Sequence, residues 1–158
     1  IHGPDHPDTL TSVEGLAGAL LDQGKYDESE KMHRLALEGC ERILGPGHPG
    51  TLKSVTNVAR VLQSKGKYDE SEKMHRLINN TLEPCEDILG PDHPITLTSV
   101  NNLAGVLQSQ GRYDESEKMY RRSLEGRDEI LGPDHPNTLS SVKILATVVR
   151  LQGKRGDS

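Results

Sequence analysis

The chain is built from a repeated sequence, and this feature constrains its fold more than any other. A nine-residue segment that begins Gly-Lys-Tyr-Asp-Glu-Ser at Gly24 returns almost unchanged at Gly66 and, with Arg for Lys, at Gly111. A second segment, Gly-Pro-Asp-His-Pro or a close variant, recurs in steps of 42, 45 and 42 residues. It begins at Gly3, Gly45, Gly90 and Gly132. Because each unit of a repeat protein packs on its neighbours, we expect a stack of similar units.

Each repeat predicts two helices, which we call helix A and helix B. Helix A is expected from about Pro7 to Gln23, because the residue before a proline avoids the helical region and proline suits the first turn. Helix B is expected from about Tyr26 to Leu44, with acidic residues in its first turn, where the helix dipole favours them. The fourth copy contains helix A alone, so the prediction is an all-α fold with seven helices.

Helix A carries the same apolar face in every repeat, at the spacing of a buried helical stripe. In repeat one this stripe consists of Leu10, Val13, Leu16, Ala17 and Leu20. The buried stripe of helix B is expected at Ser29, His33, Ala36, Cys40 and Ile43.

We predict a single domain over residues 1–158. Its repeats cover about 3–44, 45–89 and 90–131, with a half-repeat at 132–153 and a frayed tail at 154–158. Repeat two has an insertion near Ile78 to Asn80 and a proline, Pro84, so a kink or break is expected between Leu77 and Cys85. An insertion tolerated on the convex side is favoured over a bend that shapes a partner surface.

The composition argues against several classes of protein. The net charge of −5 provides no basic surface for nucleic acid, and no stretch approaches the length of a membrane span. No charged segment followed by an apolar one is found at the start of the sequence, so a secretory signal is not expected in this stretch. Cys40 and Cys85 hold the same position in successive repeats, about 10 Å or more apart, beyond disulfide distance. These features favour a cytoplasmic protein with reduced cysteines.

The residues that could bind a metal or act in catalysis are better explained by structural roles in the repeats. Four of the seven histidines share one loop position and indicate helix-start geometry; they are His6, His48, His93 and His135. No histidine pair has metal-ligand spacing, and no Cys-x-x-Cys occurs. There is no phosphate-binding loop and no nucleophile in a recognisable context. We therefore expect no metal site, no cofactor and no enzymatic activity.

The segment at residues 16–29 resembles the tetratricopeptide repeat (TPR). The small residues Ala17 and Ala36, together with Gly24 and Tyr26, match the signature of that family. The 42-residue period with its Gly-Pro-Asp-His-Pro connector is similar to the kinesin light chain type of repeat. Near-identical arrays of this type also occur in fungal and bacterial receptors with a NACHT or NB-ARC nucleotide switch. The resemblance implies a right-handed α-solenoid of helix-turn-helix repeats.

Two features depart from the pattern of the family. Serine stands where the family usually has alanine, at Ser29, Ser71 and Ser116. The insertion in repeat two is the other departure, and it alone puts regular stacking in question.

The resemblance further implies a protein-interaction scaffold that binds a peptide or helix in a concave groove lined by helix A. The second face of helix A differs between copies while the apolar stripe does not, which supports a role in specificity. Amides on this face can bond to a peptide backbone, and flanking cations favour an acidic partner, which is expected to contact mainly repeats two to four. The groove residues are predicted to be Lys53, Asn57, Arg60, Gln63, Asn101, Asn102, Gly105, Gln108, Lys143 and Arg150.

Two other functions remain open at this stage. The chain could be a structural element that associates with itself head to tail through its repeat ends, driven by an exposed Leu10 to Leu20 stripe. It could also be a sensor segment that restrains an attached nucleotide switch, which the family resemblance alone suggests.

Overall fold

The structure, a computed structural model, describes residues 3, 5–82 and 93–156 of the chain. The described residues form seven α-helices. They are α1 (Pro7–Asp22), α2 (Tyr26–Leu44), α3 (Pro49–Ser64), α4 (Tyr68–Leu82), α5 (Pro94–Ser109), α6 (Tyr113–Leu131) and α7 (Pro136–Gly156). Helix A of the four repeats corresponds to α1, α3, α5 and α7. The all-α prediction is confirmed, and the expected bounds of the first two helices are right to within one residue.

The helices fall into two compact units. The first covers Ile1–Met74 and the second covers His75–Ser158, so the boundary lies within α4. In the first unit α2 packs against both α1 and α3, and in the second α6 packs against both α5 and α7. Each of these two B helices therefore lies between helix A of its own repeat and helix A of the next.

A histidine caps the start of each helix A. His6 has an extended backbone, and its Nδ1 atom accepts a hydrogen bond from the backbone N–H of Asp8 at 3.1 Å. His48, His93 and His135 make the same bond to the residue two positions on, at 3.0 to 3.1 Å. Such a cap satisfies one of the N–H groups that the first helical turn leaves unpaired. The predicted helix-start role is confirmed, although the sequence did not reveal that the imidazole ring itself is the cap.

A glycine forms the turn between helix A and helix B. Gly24, Gly66 and Gly111 have φ angles of 76°, 77° and 78°. This left-handed conformation is costly for residues with a Cβ atom. Because the turn is so tight, helix B begins only two residues later.

A buried serine joins helix B to helix A in each full repeat. The Oγ atom of Ser29 donates a hydrogen bond to the backbone oxygen of Ala17 at 2.7 Å, and this serine is fully buried. The equivalent bonds run from Ser71 to Ala59 and from Ser116 to Ala104, at 2.8 and 2.7 Å. The serines that depart from the pattern of the family thus add a directed bond where the two helices approach closely.

The apolar stripe of helix A is buried throughout α3 and α5 but not in the outer helices. In α1, contacts with α2 leave Leu10 and Leu20 buried, and only Leu16 is largely exposed. The expected exposed stripe from Leu10 to Leu20 is therefore wrong. The copy of this stripe with the most exposed residues is the one on α7, where Leu139, Val142 and Val149 are 46%, 47% and 43% exposed.

The buried stripe of helix B is shorter than predicted. Ser29, His33, Ala36 and Cys40 are buried, whereas Ile43 is exposed. Ile43 lies in the last turn of α2, and the exposed Leu44 follows it. The expectation that Ile43 is buried was wrong, because the last turn of α2 extends beyond Cys40, the last buried residue of the stripe.

Helix α4 runs without a break through the expected insertion, as far as Leu82. Ile78 is fully buried, at the position that Ala36 has in α2 and Ser123 has in α6. It therefore belongs to the core and not to a solvent-facing insertion, and the break is not found from Leu77 to Leu82. The rest of that prediction, including Pro84 and Cys85, lies outside the described residues.

Helix α7 is longer than predicted, because it continues through Gly153 to Gly156. Residues 154–156, which were expected to belong to a frayed tail, are helical. Gly153 is equivalent to Gly24 but keeps a helical backbone without a positive φ. Glycine permits the left-handed turn but also permits a helical backbone. We infer that packing of helix B against helix A favours the turn at Gly24.

Candidate partner-binding site

In the first compact unit, the polar faces of α1 and α3 line one pocket of about 420 Å³. Three of the predicted groove residues, Lys53, Asn57 and Arg60, contribute from α3. The opposite wall is formed by α1, and α2 contributes one histidine. The remaining lining residues are Thr11, Glu14, Gly15, Gly18, Leu21, Asp22 and His33. The fourth predicted residue of α3, Gln63, is half-buried and does not line this pocket.

The two walls of the pocket carry opposite charges. Glu14 and Asp22 lie on α1, whereas Lys53 and Arg60 lie on α3. Among the described residues no ion pair of 4.0 Å or less joins these walls. The charges therefore remain accessible to a molecule that enters the pocket.

Glu14 is oriented by a hydrogen bond between repeats. Its Oε1 atom accepts a bond from Ser54 Oγ at 2.6 Å, and Ser54 Oγ also lies 3.5 Å from the buried Cys40 Sγ. Because α1, α2 and α3 each contribute one of these side chains, the contact fixes the acidic wall relative to the rest of the pocket.

His33 forms the buried floor of the pocket. Its side chain lines the pocket although the residue is only 4% exposed, and its Nδ1 atom has no hydrogen-bond partner among the described residues. Burial lowers the pKa of His33 below its usual value, Glu14 opposes this effect and Arg60 adds to it. The ring is therefore neutral near pH 7.

In the second compact unit, two of the predicted groove residues have partners of their own. Asn101 Oδ1 accepts a bond from Arg127 Nη1 at 3.4 Å, and the same nitrogen donates to Ser141 at 2.7 Å. Gln108 Oε1 accepts a bond from the hydroxyl of Tyr120 at 3.4 Å. These amides therefore contribute to packing within the unit, and their capacity to bind a peptide is reduced.

The Arg127 contact repeats the one at Glu14. By position in the repeat, Asn101 corresponds to Glu14, and Arg127 and Ser141 correspond to Cys40 and Ser54. The same three-helix contact is thus built from different residues in the two units. The remaining predicted residues differ in exposure: Asn102 and Gly105 are half-buried, whereas Lys143 and Arg150 are exposed.

A second, more apolar cavity of about 220 Å³ adjoins the first and shares Thr11, Glu14 and Lys53 with it. Its other lining residues are Pro7, Leu10, Cys40, Ile43, Leu44 and Gly50. The exposed Ile43 and Leu44 place an apolar surface next to the charged pocket. The two cavities together present polar and apolar contacts on the same unit.

Sequence reasoning missed His33 as a lining residue, and because it assigned binding mainly to repeats two to four, its list of groove residues included none from α1. His33 repeats at a core position with His75 and Tyr120, so its pattern indicated packing alone. The signal that could have revealed the α1 wall is its two glycines, Gly15 and Gly18. They lie where repeat two has Asn57 and Arg60, and a Cβ atom added at either would meet nothing within 4 Å. The two glycines therefore leave open space at this wall.

Neither a membrane-spanning helix nor a metal-binding cluster is present in the described part of the chain. No helix there combines the length and the apolar character needed to cross a bilayer. No group of three or more His, Cys, Asp or Glu side chains in those residues could hold a metal ion.

Comparisons with known proteins agree on the architecture. A family model described as the tetratricopeptide repeat matches residues 8–78 and 96–157. The crystal structure of nearly identical TPR-like repeats from a Podosopora anserina protein described as a kinesin light chain matches with a TM-score of 0.83 and 22% identity. That match covers 99% of this chain and 72% of the other.

Two further structures share the fold at lower identity. BtubC (BKLC) from P. vanneervenii has a TM-score of 0.80 at 19% identity, over 97% of this chain and 59% of its own. The Yersinia enterocolitica type III secretion translocator chaperone SycD has a TM-score of 0.64 at 17% identity, over 94% and 88%. The search of curated proteins produced no significant match.

Proposed function

The chain belongs to the tetratricopeptide repeat family, and on that premise we propose that it is a protein-interaction module that binds a peptide or helix of a partner protein. Proteins of this family are generally non-enzymatic scaffolds for protein contacts. The binding surface that we propose is the polar face of helix A, as the sequence predicted.

The observation that supports this proposal best is the pocket in the first unit. Lys53, Asn57 and Arg60 come from one helix A, and a second helix A forms the wall opposite them. Such a pocket is concave, combines polar groups with apolar surface and is fixed by helices rather than loops, as is usual for binding sites. The neighbouring apolar cavity suits an apolar side chain of the same partner.

Cations on the groove surface support the predicted preference for an acidic partner. Lys53 and Arg60 have no ion-pair partner of 4.0 Å or less among the described residues, and the same holds for the exposed Lys143 and Arg150. A carboxylate of the partner could therefore form an ion pair with such a cation without first breaking an existing ion pair.

The first test is a selection of displayed peptides on the purified wild-type chain and on Asn57→Ala/Arg60→Glu. We expect a shared motif on the wild type and a loss of about tenfold or more in the affinity of that motif for the variant. Lys31→Glu is the matched control, because Lys31 is exposed on α2 and does not line either cavity. Equal binding to all three proteins would place the site elsewhere and contradict the proposal.

A second candidate function is self-association, which the exposed stripe of α7 favours. Leu139, Val142 and Val149 have buried counterparts in α3 and α5, where helix B covers them. If two copies associate through this stripe, the mass measured by light scattering should rise with concentration, and Leu139→Gln/Val142→Gln should remain monomeric. A constant monomer mass would exclude this function. The sensor-segment hypothesis stays a prediction from the family resemblance.

A further inference from the structure

We propose that the pocket between α1 and α3 selects a partner segment of mixed charge, with a carboxylate directed to α3 and a cation directed to α1. This inference rests on the proposed function, because it specifies the chemistry of the peptide that the same pocket would bind. It goes beyond the acidic preference, which considered the cations of helix A alone.

The charges on the two walls have matching separations. Lys53 and Arg60 are seven residues apart on α3, and Glu14 and Asp22 are eight residues apart on α1. At the rise of an α-helix, each pair therefore spans about 10 to 12 Å along its helix. In the repeat alignment Lys53 corresponds to Thr11 and Arg60 to Gly18, so the acidic pair lies only about one turn further along its helix than the basic pair.

Opposite charges on neighbouring helices often form ion pairs that join the two helices. Elsewhere in the unit this happens: Lys65 Nζ lies 2.7 Å from Asp27 Oδ1 and 2.6 Å from Glu30 Oε2. Across the pocket no such pair forms among the described residues. The walls are thus charged but unpaired, which is the arrangement that a dipolar ligand can complete.

Two glycines keep the space between the walls open. Gly15 and Gly18 lie on α1 between the two acids, and a Cβ atom at either would meet no atom within 4 Å. A side chain there would occupy the volume between the walls. The volume between the opposite charges is therefore not filled by side chains at these two positions.

The centre of the pocket is polar but uncharged. Asn57 can both donate and accept hydrogen bonds, and the lining residue His33 is a buried ring whose pKa is lowered by burial. Asn57 therefore suits a backbone amide, whereas the charged walls suit the side chains on either side of it.

A partner with charges of one sign fits the walls less well. A purely acidic segment would be attracted to Lys53 and Arg60 but repelled by Glu14 and Asp22, and a purely basic segment would meet the reverse. Since like charges placed together discriminate against a partner, the walls select for mixed charge by repulsion as well as by attraction.

The test uses a phage library of random peptides and three purified proteins. These are the wild type, the variant with a neutral α3 wall (Lys53→Gln/Arg60→Gln) and the variant with a neutral α1 wall (Glu14→Gln/Asp22→Asn). Glutamine at position 14 keeps an oxygen that can accept the Ser54 hydrogen bond. Circular dichroism of each variant confirms that it is folded before the selection.

We expect the wild type to enrich peptides that contain both an acidic and a basic residue at a constant spacing. The neutral α3 wall should remove the requirement for the acid but not for the base, and the neutral α1 wall should do the reverse. A synthetic peptide of the enriched sequence should lose about tenfold in affinity when its acid and base are exchanged.

The outcomes separate this inference from the proposed function. Peptides that require only an acid, and whose affinity does not fall when the α1 wall is neutral, would overturn the mixed-charge inference while the groove stays the binding site. Peptides that bind all three proteins equally would place the site outside the pocket. No enrichment on the wild type would contradict both proposals.

Discussion

Lowering the pH from about 7.5 to about 4.5 is expected to reduce the free energy of unfolding by about 2.5 kcal/mol through His75 alone. This residue is fully buried, both of its ring nitrogens lack a hydrogen-bond partner among the described residues, and burial lowers its pKa to about 4. In the unfolded chain the ring titrates near its ordinary pKa of about 6.5. Each unit of difference corresponds to about 1.4 kcal/mol.

The direction follows from the depressed pKa of His75. Above about pH 6.5 the ring is neutral in both states, so its contribution to stability is complete. As the pH falls toward 4, the unfolded chain binds a proton that the folded chain does not, and stability is lost. His33 acts in the same direction, because burial lowers its pKa too. The carboxylates of Asp27, Glu30 and Glu117 have lowered pKa values, so most of their contribution is lost at still lower pH.

Urea denaturation at a series of pH values measures the effect, with His75→Leu as the comparison. Leucine has a similar volume and does not titrate, so most of the loss between pH 7.5 and 4.5 should disappear, apart from the share due to His33. The variant should also be at least as stable as the wild type at neutral pH, because it removes two unpaired buried nitrogens. An identical pH dependence in the two proteins would show that His75 is not buried as a neutral ring.

Replacing both pocket glycines, Gly15→Ala/Gly18→Ala, is expected to raise the free energy of unfolding by about 2 kcal/mol. Glycine in a helix interior is less favourable than alanine by about 1 kcal/mol, because it loses more backbone entropy on folding. Both residues lie within α1, and the added methyl groups would meet no atom within 4 Å. The urea midpoint measures the gain, provided that the slope of the transition is unchanged.

The matched control is the same substitution at a glycine with a different backbone. Gly24 has a φ of 76°, so Gly24→Ala should destabilise the chain by about 1 to 2 kcal/mol even though its Cβ atom would also meet open space. Opposite signs at the two sites would therefore separate backbone conformation from available volume. A loss of stability in Gly15→Ala/Gly18→Ala would mean that α1 is not a regular helix there.

The stabilised variant should also bind selected peptides less well, because the methyl groups reduce the space between the charged walls. Such a result would explain why repeat one keeps two glycines in a helix at a cost in stability. Sites of binding commonly retain residues that are unfavourable for the fold alone.

Several parts of the fold could be predicted because they depend on local sequence. The start of each helix A follows from a histidine and a proline, and the turn before helix B follows from a glycine with positive φ. The apolar stripe of α3 and α5 was predicted from periodicity alone, since a face that repeats in every copy is most simply the packed one. Identical copies reinforced each of these signals.

The errors lie where the same local sequence meets a different environment. Gly153 resembles Gly24 in sequence, yet α7 continues through it. Leu139 resembles Leu97, yet it is exposed while Leu97 is buried, because no helix B of its own repeat covers it among the described residues. Periodicity identifies the face that can be buried but does not identify which neighbour buries it.

The candidate site also combines features that follow from local sequence with features that depend on packing. The sequence by itself determined the helices, their order and the polar face of helix A, since these follow from backbone preferences and from the spacing of apolar residues. Only the tertiary structure placed Glu14 and Asp22 opposite Lys53 and Arg60, and showed His33 beneath them. It also showed that Asn101 is held by Arg127. A pocket depends on the distance between side chains from separate helices, and that distance is set by packing rather than by the sequence of any one helix.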